Sequence, residues 1–213
     1  MMSTVVIDYG IVNLKNILRS FEYIGVPIDS AVDPDQVLKA DRIILPGVGA
    51  FASGMNELRT RGMDEAVKCI ANAGRPVLGI CLGMQMLLDS SIEYGQHQGL
   101  GLIPGSVVPI PTNSVGMGRR KIPHIGWNAL RYPSHASSWK NSCLNRAPEG
   151  SFFYFVHSFM VVPEKSSHIL AQCIYEGLSV TAAIKKDNIT GLQFHPERSG
   201  PIGLEILHEF MDG

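Results

Sequence analysis

The chain has 213 residues and a formal net charge of -1, from 18 basic and 19 acidic side chains, so it offers no long-range field for a nucleic-acid backbone or an anionic membrane. Its composition, 45% hydrophobic and 17% charged, is that of a globular chain able to enclose a core without disulfides or metals. No run approaches the roughly 18 apolar residues of a membrane span, and the amino terminus MMSTVVIDYG lacks the basic flank and apolar segment of a secretion signal, which predicts a cytoplasmic protein.

In chain order, TVVID reads as a first strand. Asn13 then stands where it can cap LKNILRSFEYIG, whose Leu14, Ile17, Leu18, Phe21 and Ile24 recur at helical spacing and stop at Gly25. A second strand, RIILP, runs into the glycine-bearing loop PGVGAF. One helical region spans about Met55 to Ala73, ended by Gly74, and then the strand PVLGI leads to Cys81. LGMQMLLDS has room only for a short helix, because Gly95 and Gly99 interrupt the chain soon after it.

Beyond Gly99 the apolar runs are short and β-like: SVVPI, WNALRY, SFFYFVHSFMVV, HILAQCIYE, SVTAAIKK and ITGLQF, with a closing helix in GLEILHEFM. The alternation in the first half predicts an α/β fold, a mostly parallel sheet with helices on both faces, and the second half an antiparallel addition to that sheet. With no repeat and no long linker, residues 1–213 are expected to form a single domain.

Four cysteines, Cys69, Cys81, Cys143 and Cys173, are scattered without a C-x-x-C pair or a histidine at metal-ligand spacing. They read as reduced thiols, and no metal site or cofactor is expected. A free cysteine is commonly a small core hydrophobe. Cys81 differs in its setting, since Gly79-Ile80-Cys81-Leu82-Gly83 has the G-x-C-x-G form of a nucleophile elbow, in which a strand turns sharply into a helix. The amide of Leu82 would then point where an oxyanion forms.

A thiol nucleophile needs a base, and His195 at the end of ITGLQF is the best placed of seven histidines. Glu197, two residues on, would share its side in extended backbone and hold one imidazole tautomer. The loop PGVGAF offers Val48 or Gly49 as a second oxyanion donor. Each motif alone also has a plain structural reading, as a buried thiol, a strand-end histidine or an ordinary glycine turn.

Taken together and in this order, PGVGAF, GICLGMQ and FHPE resemble the class I, triad-type glutamine amidotransferases. Within that family PGVG, PHIGWN, FYFVHSF and QFHPERSG are similar to the glutaminase subunits of imidazole glycerol phosphate synthase, and the likeness covers essentially the whole chain. The resemblance implies a flavodoxin-like fold. It also implies hydrolysis of glutamine, with ammonia handed to a separate (β/α)8-barrel cyclase subunit in a heterodimer that serves histidine synthesis. It makes Cys81 the nucleophile, His195 the general base and acid, and Glu197 its orienting partner. Gln85, Glu93, His157 and Ser158 match positions that hold the substrate glutamine. Asn13, Pro123, His124, Trp127, Asn128, Tyr154 and Arg198 match positions at the cyclase interface.

Two departures stand out: Val12 precedes Asn13 where many relatives have glycine, and Ser91-Ile92-Glu93 keeps only the second glutamate of a Ser-Glu-Glu motif. Three other readings compete. They are a paralogous glutaminase serving amidation of a surface-polysaccharide sugar, a cysteine-dependent α/β-hydrolase, and a non-catalytic binding module. In the hydrolases the acidic triad member normally precedes the histidine, whereas Glu197 comes after it. A chain ending just after the last helix of a glutaminase-like unit is expected to need a partner, and the Gly47 to Gly49 peptide is expected to reorient before its amide meets glutamine.

Overall fold

The computed structural model describes residues 3–114 and 118–212. Its first half holds β1 (Thr4–Ile7), α1 (Leu14–Tyr23), β2 (Asp29–Ala31), α2 (Pro34–Lys39), β3 (Arg42–Leu45), α3 (Phe51–Thr60), α4 (Met63–Asn72), β4 (Val77–Ile80) and α5 (Leu82–Met86). Next come β5 (Leu88–Ser91), β6 (His97–Gln98), β7 (Ile103–Pro109), β8 (Asn113–Ser114), β9 (Gly118–Arg119), β10 (His124–Ala129), β11 (Phe152–His157) and β12 (Phe159–Pro163). The chain closes with β13 (Ile169–Tyr175), β14 (Leu178–Lys186), β15 (Ile189–Leu192) and α6 (Gly200–Asp212).

Seven strands form the central sheet in the order β13-β14-β15-β4-β3-β1-β2. The pairs among β2, β1, β3, β4 and β15 are parallel, and β13-β14-β15 are antiparallel. Successive side chains on a strand point to opposite faces, and the core divides accordingly. Ile7, Ile43, Leu45 and Val77 pack on one side with Met55, Leu58, Val67 and Ile70 of α3 and α4. Val6, Ile44, Leu78 and Ile80 pack on the other with Ile17 and Phe21 of α1 and Ile206, Leu207 and Phe210 of α6. β4 is buried along its whole length, which is why it reads as a continuous apolar run.

Several expectations need correction. The helical stretch from Met55 to Ala73 is two helices, because Gly62 adopts a left-handed conformation, φ 67°, between α3 and α4. LGMQMLLDS ends its helix at Met86 and turns at once into β5. SFFYFVHSFMVV is two strands parted at Ser158: β11 pairs with β10 in a two-stranded ribbon, while β12 joins a separate sheet, β12-β7-β5-β6. Only β13 to β15 extend the main sheet. Asn13 sits at the start of α1 without a side-chain capping bond. β2 and α2 have no counterpart among the expected elements, although Asp33 caps α2 by accepting from the Gln36 amide at 2.9 Å.

Candidate active site

Cys81 occupies the turn between β4 and α5 with φ 56° and ψ -111°, a conformation that costs on the order of 1–3 kcal/mol for a non-glycine residue. The surroundings enforce it: the Cys81 amide donates to Leu192 O at 2.7 Å, and the Gln85 amide donates to Cys81 O at 3.2 Å. Both flanking glycines are required by close approach. A Cβ on Gly83 would lie 1.8 Å from Leu45 O, and one on Gly79 would lie 2.8 Å from the Met84 nitrogen. The sulfur is left at the carboxyl end of the parallel strands, where open α/β sheets place their ligand sites.

β15 delivers the partner. His195 lies just beyond it, and its Nδ1 is 2.7 Å from Glu197 Oε1. The link is not the extended i to i+2 arrangement: Pro196–Arg198 form a 3₁₀ turn that brings the carboxylate back to the ring. Ser199 Oγ fastens the turn by donating to His195 O at 2.6 Å and accepting from the Tyr154 amide at 3.0 Å. With Nδ1 bonded to the carboxylate, Nε2 is the ring atom left for Cys81, and no other partner occupies it among the described residues. Burial disfavours the imidazolium, but the Cys81 sulfur and the Glu197 carboxylate outweigh it and lift His195 to about 10.

A cleft of about 430 Å³ opens over this pair. Gln85, Glu93, His157 and Ser158 all line it, as do Val48, Gly49 and Leu82. Gln85 Nε2 donates to Gln193 Oε1 at 3.0 Å and to Phe159 O at 3.4 Å. Glu93 Oε2 accepts from the Phe51 amide at the start of α3, 2.6 Å away. A larger cavity, about 810 Å³, lies at the opposite end of the sheet beside Lys185 and Asn188 and is lined by no histidine.

The oxyanion donors are engaged elsewhere. The Leu82 amide donates to Gly47 O at 3.3 Å and the Val48 amide to Ile11 O at 3.4 Å. Tyr9 Oη donates to Pro46 O at 2.8 Å, pinning the strand that leads into the loop, and a Cβ on Gly47 would lie 2.4 Å from that hydroxyl. In the structure as it stands, two of the three amides expected to cradle an oxyanion therefore hold the loop closed.

Residues 5–212 match the family described as glutamine amidotransferase class-I. This chain belongs to that family. It is 46% identical over 211 residues to imidazole glycerol phosphate synthase subunit HisH 1 of Legionella pneumophila (strain Lens), with 99% of each chain covered. It is 42% identical over 211 residues to subunit HisH of Geobacter sulfurreducens, covering 99% of this chain and 98% of that one. Among solved structures, a glutamine amidotransferase crystal structure superposes with a TM-score of 0.72 at 14% identity, covering 98% of this chain and 97% of the other. The PurLQS structure from Thermotoga maritima gives 0.67 at 18% identity, covering 99% and 98%. These distant structures share the flavodoxin-like amidotransferase fold, in agreement with the sheet order above.

The outer surface of this amidotransferase carries most of the expected interface positions. Trp127 and Ile125 on β10 and Phe152 on β11 are more than half exposed. The Trp127 ring meets Tyr154 edge-on at 6.1 Å, and the Arg198 guanidinium lies 4.3 Å above Tyr154. Asn13 and Pro123 are exposed as well, and Asn128 is half-buried. His124 departs from expectation: it is 2% exposed, stacked between Phe155 and Tyr175, and so is no surface contact. His157 lines the cleft, but both its ring nitrogens are taken, by His124 and by Phe159 O.

Two site residues escape the sequence reading. Gln193 is fully buried and its Nε2 donates to Cys81 Sγ at 3.8 Å; its only signal is its place two residues before His195. Tyr9 is fully buried beside the loop, and burial raises its phenol well above the ordinary range, with the nearby Cys81 adding to the effect.

Proposed function

We propose that the chain hydrolyses glutamine to glutamate and ammonia through a Cys81 thioester and passes the ammonia to a separate (β/α)8-barrel cyclase subunit. That subunit forms imidazole glycerol phosphate and an aminoimidazole carboxamide ribotide in histidine synthesis. The observation that carries the reading is the buried line from Glu197 through His195 toward Cys81, at the floor of a cleft with room for a glutamine. The relatives described above bear the imidazole glycerol phosphate synthase name, which favours histidine synthesis over amidation of a polysaccharide sugar.

The geometry supports the following chemistry. Cys81 Sγ, its proton already held on His195 Nε2, attacks the carboxamide carbon of glutamine. His195 then gives that proton to the departing nitrogen, the C–N bond breaks, and a glutamyl thioester remains. Water next donates a proton to Nε2 as its oxygen attacks the thioester. The C–S bond breaks, glutamic acid leaves, and the thiolate–imidazolium pair is restored. Glu197 holds the ring throughout and stabilises the imidazolium. Gln85 and Ser158 supply polar contacts to the substrate, and Glu93, with one oxygen on the Phe51 amide, has the other for the substrate ammonium group.

Each oxyanion donor is typically worth about 3 kcal/mol. The Leu82 and Val48 amides first have to leave Gly47 O and Ile11 O, at a net cost of about 1 kcal/mol per bond. A partner that stabilises the open loop thus raises turnover. The test is ammonia release from glutamine by the chain alone and with the cyclase subunit loaded with its ribonucleotide. Low turnover alone and a rise of about thirtyfold in the loaded complex is expected, the roughly 2 kcal/mol of the two loop bonds converted to a rate. Full turnover without the partner contradicts the loop account, and prompt aryl-ester hydrolysis without glutamine cleavage contradicts the glutaminase.

A further inference from the structure

Two buried histidines, one lining the cleft and one behind it, have no part in these steps. His124 on β10 and His157 on β11 sit opposite each other in the ribbon register. Both are buried, and His124 Nδ1 lies 2.9 Å from His157 Nε2. The His124 ring is held between Phe155, at 4.8 Å, and Tyr175, at 3.9 Å between centroids.

The proton positions are fixed by the two ends of the pair. His157 Nδ1 lies 2.8 Å from Phe159 O, which only accepts, so Nδ1 carries the hydrogen. In a neutral ring Nε2 of His157 is then an acceptor, and His124 Nδ1 has to be its donor. His124 Nε2 is left bare, facing the Asn128 amide nitrogen at 3.5 Å. Asn128 cannot be reversed, because its Oδ1 accepts from the Ala129 amide at 2.8 Å and its Nδ2 donates to Ile174 O at 3.0 Å. Burial keeps both rings neutral, pushing His124 down to about 4 against the pull of Glu176. It pushes His157 down to about 3 against the Phe159 carbonyl, with His124 and His195 reinforcing the shift. The hydrogen bonds therefore all run one way, from Asn128 to the Phe159 carbonyl.

That carbonyl is where the line meets the cleft, since it also accepts from Gln85 Nε2. We propose that His124 and His157 are positioning residues, a fixed-tautomer imidazole pair that ties the Phe159 carbonyl, and through it the Gln85 amide, to strand β10. The inference rests on the glutaminase reading and deepens it, because β10 also presents the exposed Trp127 on which a partner would bear. A shift of β10 is transmitted to the group that grips glutamine without touching the reacting atoms.

His124→Phe keeps the ring stacked between Phe155 and Tyr175 and removes both nitrogens, while His124→Asn keeps a donor near the Nδ1 position. In the complex with the cyclase subunit, His124→Phe is expected to raise KM for glutamine about tenfold with kcat changed less than about threefold, and His124→Asn to recover most of the loss. Alkylation of Cys81 by iodoacetamide is expected to match the unsubstituted protein. Imidazole 15N spectra of the unsubstituted protein provide a readout free of folding effects: both rings protonated at Nδ1 and unchanged down to about pH 5. A His124→Phe protein with unaltered KM, a loss carried by kcat alone, or a ring protonated at Nε2 overturns the proposal. Failure of the unsubstituted complex to cleave glutamine instead overturns the glutaminase reading on which it stands.

Discussion

Gly83→Ala tests the elbow at its tightest point. The added Cβ would lie 1.8 Å from Leu45 O and 2.8 Å from the Leu45 carbonyl carbon, both backbone atoms that cannot rotate away. Reaching even a tight contact requires α5 and the end of β3 to part by about 1 Å or more. That movement pulls the Leu82 amide off Gly47 O, and it carries Cys81 away from His195, which is fastened through β15. Overpacking of this kind costs about 1–3 kcal/mol, or roughly 2–12 °C in Tm for a chain of this size. Misplacement of a reacting group by about 1 Å costs on the order of 100-fold in rate. Thermal unfolding and glutaminase kcat in the partner complex check both numbers. Gly74→Ala is the control, since its Cβ meets nothing within 4 Å and only its φ of 76° is unfavourable; it is expected to lose about 1 kcal/mol and no activity. A Gly83→Ala protein with kcat within about threefold of the parent would refute the close-approach argument.

Two further outcomes rest on the same geometry. Folding raises His195 to about 10 from an unfolded value near 6.5, so its contribution to stability is complete below about pH 6.5 and is lost as pH rises through about 10. Glu197→Gln should flatten that alkaline loss in pH-dependent thermal unfolding and lower kcat by about 100-fold or more; an unchanged slope would remove the ion pair from the account. Trp127→Ala is expected to weaken binding of the cyclase subunit by about 2 kcal/mol, roughly thirtyfold. Because Trp127 is 55% exposed, Tm of the free chain should hold within about 2 °C, and equal affinity of the two proteins in a calorimetric titration would move the interface elsewhere.

The features legible in the chain are those that short-range rules dictate. The G-x-C-x-G spacing announces the elbow because only glycine survives the approach of Leu45 O and the α5 backbone, so the sequence records the contact locally. The buried Ile43-Ile44-Leu45 of β3 and the whole of β4 announce themselves as continuous apolar runs. The hidden features are set by distant partners. Gln193 looks like any strand-end polar residue until β4 and α5 place Cys81 and Gln85 against it. His124 sits beside the exposed Ile125 and Trp127 in sequence, but Phe155 from β11 and Tyr175 from β13 close over the two faces of its ring. Gly62 gives no warning because the apolar spacing of α3 and α4 continues across it, although its left-handed φ splits the helix. The loop at Gly47 to Gly49 reads as able to reorient, but its resting bonds to Leu82 and Ile11 depend on chain segments far apart in sequence.

The central claim, that Cys81 carries the glutamyl group, is met most directly by acid-quenching the protein during turnover of isotopically labelled glutamine and mapping the adduct by mass spectrometry. The account predicts a glutamyl thioester on the peptide bearing Cys81, released by hydroxylamine and absent from Cys81→Ala, which forms no ammonia. Turnover with no adduct on Cys81, or ammonia release that survives in Cys81→Ala, would contradict it.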